Sequence, residues 1–389
     1  MAYRIPLCKP IFSARAEEMV LDVLRSGAIS YGRYSKRFED ALSALHGCSH
    51  GVLSNSGTSS LQVALAALKE AHNWKGGDEV LVPATTFVAT ANVVLMNGLK
   101  PVFVDIEDQT YGMDPDLIEK AITPRTRAII AVHLFGIPCQ IERIAAIAKK
   151  RGLRLIEDSC ETACASVNGK SVGSFGDVGC FSFYACHQVN AGIGGMGITN
   201  DNHLAVLMRS LVNHGRDPSF INGMVSKAAP DKKFLFERLG FSYRVTEMEA
   251  ALGLEQTERL PYTTAKRTYA GIRLYHALQR EFGDMLHIPP MTGSSYMMFP
   301  VVLSESAIVG KLWAMQEFED SGVETREMLP LLSQPFYQKM GHNIADFPVS
   351  KRVKDRGFYF GIYPEMDAKD IHYIVETFRK VLCKKEARA

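Results

Sequence analysis

Several places in the 389-residue chain combine residue types and spacings that can do chemistry. Ser54-Asn55-Ser56-Gly57-Thr58-Ser59-Ser60 joins an apolar run to a helical pattern. Small residues there let backbone N–H groups and hydroxyls close on an anion at the positive end of a helix. The segment lacks the lysine of GxxxxGK[ST], so it is no nucleotide-triphosphate loop. A phosphate cup and an ordinary helix cap both remain open. Ile156-Glu157-Asp158-Ser159 ends an apolar strand on an acid, and such strand ends line the ligand crevice of doubly wound sheets. Asp158 can therefore hold a protonated heterocycle nitrogen or a metal, or cap a helix. Phe87 follows another strand and can stack on a flat ring or pack in the core. His187, in Ser182-Phe183-Tyr184-Ala185-Cys186-His187, can move protons near neutral pH or serve structure alone. Gly192-Ile193-Gly194-Gly195-Met196-Gly197 matches G-x-G-x-x-G, but its glycines run into a strand pattern rather than a helix, which argues against a dinucleotide site.

The elements that must position these residues are legible as alternation. Over the first 200 residues, short β-rich runs (HGVLSNS, DEVLVPA, KPVFVDI, RAIIAVHLFG, LRLIEDS) are separated by helical patterns of about 10–15 residues. That alternation predicts parallel βαβ units in a mostly parallel, doubly wound α/β sheet. GDVGCFSFYA and GGMGITN read as two further strands, followed by a helix near 202–213. Beyond about 255 comes a helix over TTAKRTYAGIRLYHALQREF, then a strand over SSYMMFPVVL and a closing helix over KDIHYIVETFRKVLCKK. The expected division is a large α/β domain over 1–250 and a smaller α+β domain over 251–389.

Composition narrows the function classes. Apolar residues at 47% and charged residues at 22% are those of a globular chain. Forty-four basic against 42 acidic residues give a net charge of +2, so nothing favours nucleic acid as a partner. No apolar run spans a bilayer and no leader-like h-region opens the chain, which leads us to expect a cytoplasmic protein with no membrane contact. The eight cysteines lack paired CxxC spacing, so no metal site is expected and they read as small hydrophobes.

Taken in order, an anion cup, an aromatic, a strand-end Asp and a Ser/His segment running into Gly-Gly resemble the fold-type I pyridoxal-phosphate (PLP) enzymes. Specifically, the chain resembles the DegT/DnrJ/EryC1/StrS family of sugar enzymes. The likeness is carried by PLCKPIF, SGAISYGRYSKRFE, SNSGTSSL, GDEVLVPATTFVATANVV, PVFVDI, IEDSCETACAS, GSFGDVGCFSFYACH, NHGRD, RVTEMEAALGLEQ and ETREMLPLL. The resemblance implies that Gly57, Thr58 and Ser182 bind the cofactor phosphate, that Phe87 stacks on the pyridine ring and that Asp158 pairs with the ring N1–H. Pairing with Asp158 keeps that nitrogen protonated and the ring a good electron sink. It also implies a homodimer in which a GYN segment reaches the partner's phosphate. Here that segment reads Gly240-Phe241-Ser242, which leaves Ser242 in the asparagine's place.

One departure decides the functional expectation. Family members read roughly S-F-x-x-x-K at the cofactor lysine, and that position is His187; no lysine lies between Lys170 and Lys227. Imidazole has no primary amine with which to hold PLP covalently, but at an ordinary pKa of ~6.5 it can still shuttle protons. The cofactor is therefore expected to be held non-covalently as pyridoxamine phosphate (PMP). Histidine at this position resembles the nucleotide-sugar 3-dehydratase branch, as does EDSCET, where Glu161 replaces the usual Gln or His. That likeness implies loss of the C3 hydroxyl from a nucleotide-linked 4-keto-6-deoxy sugar, with glutamate regenerating PMP. His187 would be the acid/base; His214 is a possible assistant or an ordinary loop histidine. Ligand cysteines for an iron–sulfur cluster have no counterpart. Two rival readings stay open: a glutamate-dependent nucleotide-sugar aminotransferase with a natural or engineered Lys-to-His change, and a non-catalytic regulator that binds PLP or a sugar nucleotide.

Overall fold

Residues 3–217 and 234–383 are described by the computed structural model. The apolar runs become strands β1 (His50–Ser54), β2 (Glu79–Pro83), β3 (Lys100–Val104), β4 (Thr126–Val132) and β5 (Arg154–Asp158). A short hairpin, β6 (Ser166–Val167) and β7 (Lys170–Ser171), precedes β8 (Val178–Ser182) and β9 (Gly195–Thr199). Seven of these strands form one sheet in the order β1-β9-β8-β5-β4-β2-β3. It is parallel except for β9, which runs antiparallel to both neighbours. Successive side chains serve opposite faces, as strand geometry requires. Val80, Val82, Ala128 and Ile130 enter one core while Leu81, Ile129 and Ala131 enter another. Helices cover both faces, which explains why the strands read as continuous apolar runs rather than alternating ones.

The helices are α1 (Ala14–Ser26), α2 (Arg33–Leu45), α3 (Gly57–Ala71), α4 (Val88–Met96), α5 (Pro115–Ala121), α6 (Ile141–Arg151) and α7 (Asn202–Val212). Then come α8 (Glu247–Phe282), α9 (Lys311–Asp320), α10 (Pro335–Lys339), α11 (Pro348–Arg356) and α12 (Ala368–Leu382). A second, antiparallel sheet is built from β10 (Leu286–His287), β11 (Met298–Leu303), β12 (Thr325–Glu327) and β13 (Gly357–Gly361), in the order β10-β11-β13-β12. The mixed α/β architecture with a smaller C-terminal α+β unit is the one expected. Among the described residues no helix is long and apolar enough to cross a membrane.

The junction between the two units differs from the expectation. The anticipated boundary at 250 lies inside α8, which begins at Glu247, well before the helix read from position 263, and continues through Pro261. Packing overrides the proline: the first half of α8 lies on α1 and α2, and the second half meets α12. Its start is fixed by the buried carboxylate of Glu247, which accepts the N–H groups of Gly32, Tyr34 and Ser35 at 2.8–2.9 Å and so caps α2 from outside. The N-terminal segment, expected in the large domain, also crosses over. Ile5 bridges to Val323, Leu7 donates its N–H to Glu324, and both are buried in the core of the C-terminal sheet.

Gly253, on α8, shows how close the α2–α8 contact is: a Cβ there would lie 2.2 Å from the Phe38 ring. Gly253→Leu should therefore lower stability by about 1–3 kcal/mol through overpacking, read as a lower urea midpoint.

Candidate active site

The carboxyl ends of β1, β5 and β8 meet on one edge of the large sheet, with the β2–α4 connection beside them. At the end of β1, Ser56 caps α3 by accepting the Ser59 N–H at 3.0 Å. The N–H groups of the first helical residues, Gly57 and Thr58, then face out of the helix's positive end. Gly57 is obligatory there on steric grounds. A Cβ at 57 would stand 2.6 Å from Cys160 Sγ and 2.7 Å from Ser182 Cβ, so the helix end, β5 and β8 meet across it. The cap reading of this segment is realised at Ser56, and Gly57 and Thr58 form the first turn of the helix it caps.

Asp158, the last residue of β5, is buried. Its Oδ2 accepts the Thr90 hydroxyl at 2.8 Å and its Oδ1 accepts the Cys160 N–H at 3.2 Å. Burial pushes its carboxyl above the ordinary range, with those donors opposing. No basic side chain is hydrogen-bonded to this carboxylate among the described residues. Phe87 stands at the N-terminus of α4, one turn before Thr90, and keeps 55% of its surface exposed. That leaves a free aromatic face rather than a core residue. Glu161 is half-buried and its Oε2 accepts the Phe135 N–H at 2.9 Å; burial pushes its carboxyl up to about 7, the nearby Asp158 adding to the shift.

His187 lies in the loop after β8. Its Nδ1 sits 3.3 Å from the Ser182 carbonyl, which it reaches as an N–H donor, and the Cys160 backbone is a second hydrogen-bonding neighbour of the ring. Burial pushes the imidazole down to about 4, so the ring is neutral at pH 7. The loop is clamped on both sides of the histidine. Gln188 accepts the Ala163 N–H at 2.6 Å and donates to the Ser295 carbonyl at 2.9 Å, and Asn190 donates to the Ala185 carbonyl at 2.9 Å.

The structure thus brings together Gly57, Thr58, Ser182, Asp158 and His187, with Phe87 and Glu161 alongside. Two expected residues fall elsewhere. His214 is exposed, with a φ of 64°, and its Nε2 accepts from Arg244 at 3.0 Å. Ser242 is also exposed and accepts from the same guanidinium at 3.3 Å. Among the described residues neither is hydrogen-bonded to the cluster around His187, so His214 is not positioned to assist it within this chain. Thr90 and Gln188 escaped the sequence reading. Thr90 carried one usable signal, a hydroxyl three residues beyond Phe87 on the same helical face; Gln188 carried none.

A capped helix end, an exposed aromatic and a buried strand-end carboxylate on a mostly parallel sheet are the arrangement of a fold-type I PLP protein. Within that class, the chain belongs to the DegT/DnrJ/EryC1/StrS aminotransferase family, whose pattern matches residues 10–379. This is a PLP-dependent family of sugar-modifying enzymes. The chain is 34% identical to a UDP-N-acetyl-3-dehydro-alpha-D-glucosamine 3-aminotransferase of Acidithiobacillus ferrooxidans, covering 92% of each chain. It is 32% identical to a dTDP-4-dehydro-2,6-dideoxy-D-glucose 3-dehydratase of Saccharopolyspora spinosa, covering 92% of this chain and 82% of that one. Its fold superposes with a TM-score of 0.88 on the GDP-4-keto-6-deoxy-D-mannose-3-dehydratase of E. coli, solved with hydrated PLP, at 25% identity over 97% of this chain and 100% of that one.

Two measurements check the electrostatics. Imidazole NMR signals should show His187 neutral from pH 5 to 8 and titrating near pH 4. Because that value lies below the ~6.5 of an unfolded histidine, its contribution to stability is complete above about 6.5 and is lost as the pH falls toward 4. Thr90→Val, which deletes the hydroxyl donated to Asp158, should weaken PMP binding about tenfold in equilibrium dialysis, and Thr90→Ser should restore it.

Proposed function

We propose that this chain is a PMP-dependent dehydratase that removes the C3 hydroxyl of a nucleotide-linked 4-keto-6-deoxy sugar, with glutamate restoring the amine form of the cofactor. The observation that carries the reading is His187. A neutral, half-buried imidazole, tied through Nδ1 to Ser182, stands where the family's covalent lysine would be. The donor set suits the cofactor: Gly57 lets the α3 N-terminus lie directly against Cys160 and Ser182, and the buried Asp158 carboxylate accepts only neutral donors among the described residues.

When bound, PMP would supply a primary amine for the substrate's C4 ketone and a conjugated ring that accepts electrons. The chain's own groups do the rest. The α3 N-terminus at Gly57 and Thr58 and the Ser182 hydroxyl would hold the phosphate. Asp158, oriented by Thr90, would keep the ring nitrogen protonated, and Phe87 would stack on the ring. The His187 imidazole would be the group that takes up the proton released at the cofactor and returns one to the departing C3 hydroxyl. Lacking a primary amine, His187 cannot compete with the sugar for the cofactor by covalent attachment. Glu161, held at the edge of the cluster by Phe135 N–H, has a carboxyl raised toward neutral pH and can stand as either donor or acceptor there.

A homodimer belongs to the same reading. Phe234, Phe236 and Leu239, beside Ser242, expose 76%, 47% and 92% of their surfaces, an apolar face that a second copy would cover. In that arrangement Ser242 and Arg244 serve the partner's cup rather than their own.

The test supplies PMP and a nucleotide-linked 4-keto-6-deoxy sugar and follows ammonia and product mass. Ammonia release with a 3-deoxy product is expected; a 4-amino sugar would establish the aminotransferase, and absence of turnover a binding protein. His187→Asn should lower dehydration by about 10²-fold or more. His187→Lys should acquire a borohydride-reducible covalent attachment to PLP that the parent lacks.

A further inference from the structure

A second pair of chemically active groups lies beside the catalytic loop and has no part in the reaction proposed above. Cys8 and Cys186, 178 residues apart, hold their sulfurs 2.7 Å from each other. Both are half-buried, so the pair is neither sealed in the core nor free on the surface. Among the described residues no other two cysteine sulfurs are hydrogen-bonded. A disulfide needs about 2.05 Å, so bond formation calls for an approach of roughly 0.6–0.7 Å beyond the present contact.

Both sulfurs are presented by anchored backbone. On one side, Ile5 exchanges hydrogen bonds with Gly322 and Glu324 at 3.0 and 2.9 Å, and Leu7 N–H reaches Glu324 Oε2 at 2.9 Å. On the other, Gln188 and Asn190 clamp the loop. The two thiols are also unequal. The hydrogen bond with Cys8 holds the Cys186 thiol down at about 7 against burial and the Glu324 carboxylate, with Arg326 and Arg267 adding to the lowering, while Cys8 is pushed up. Cys186 is thus the attacking thiolate near neutral pH and Cys8 the resolving thiol.

We propose that Cys8 and Cys186 form a thiol–disulfide exchange site for small-molecule disulfides of the glutathione type, and that closing their bond shifts the loop that carries His187. The Cys186 thiolate attacks one sulfur of the small disulfide, forming a mixed disulfide and expelling one small thiolate. Cys8 then gives up its proton, attacks the Cys186 sulfur and expels the second. The protein loses two electrons and two protons in all, and the small disulfide is reduced to two thiols. His187 is the residue next to Cys186, and displacements of about 1 Å at a reacting group are enough to change rates about a hundredfold. The exchange chemistry itself is independent of which sugar reaction the site performs.

The experiment treats the reduced full-length chain with oxidised glutathione. Expected are a mass lower by two hydrogens, a linked peptide pair containing Cys8 and Cys186, reversal by dithiothreitol, and a shifted His187 imidazole NMR signal with the other imidazole signals unmoved. Cys8→Ser and Cys186→Ser should each abolish the link, and Cys383→Ser, at an exposed cysteine, should leave it intact. A stable glutathione adduct on Cys186, or a link through another cysteine, would overturn the exchange site. A Cys8–Cys186 link that leaves the His187 signal in place would overturn the coupling to the loop.

Discussion

Two adjacent acids at the end of β5 govern the geometry of the site. Strand pleating sends Glu157 and Asp158 to opposite faces of the sheet. Glu157 is fully satisfied: it accepts the N–H groups of Gly173, Phe175 and Gly176 at 2.6–2.7 Å and lies 3.2 Å from His133 Nε2. Those bonds tie the segment leading into β8 to the end of β5, and so set where Ser182 and His187 emerge. His133 in turn accepts the Cys139 N–H on Nδ1, which fixes the tautomer that donates from Nε2 to Glu157. Asp158, one residue on, accepts the Thr90 hydroxyl and the Cys160 amide, with the Cys160 thiol beside it. A buried carboxylate so partnered is costly in isolation and useful as a seat for a cationic ring nitrogen.

The same division between support and chemistry recurs in the loop after β8. Gln188 and Asn190 spend their amides on backbone groups on either side of His187, and the imidazole itself hydrogen-bonds only with the Ser182 and Cys160 backbone among the described residues. Burial keeps the ring neutral. A lysine at this position would have combined attachment and proton transfer in one side chain. In the proposed reading histidine separates the two functions, so retention of the cofactor would fall on Gly57, Thr58, Ser182, Asp158 and Phe87.

The two units share more than a linker. α8 carries the contact with α1 and α2 and then continues toward α12, while Ile5 and Leu7 return the N-terminus to the C-terminal sheet. A boundary read from a change of texture near residue 250 missed this, because the helix continues through Pro261 where packing on both sides compensates for one lost hydrogen bond.

Local information determined the strands and their parallel sense, the turn at Gly57, the acid at the end of β5 and the absence of a lysine at position 187. Each is a property of residue type and short-range spacing, which backbone geometry translates directly. The tertiary structure alone decided which distant groups meet. Thr90 reaches Asp158 across 68 residues, Phe135 N–H finds Glu161, and Cys8 meets Cys186, whereas His214 and Ser242 turn to Arg244 instead of His187. Such contacts follow from how sheet order and helix packing close the chain on itself, and periodicity along the sequence carries no record of that closure.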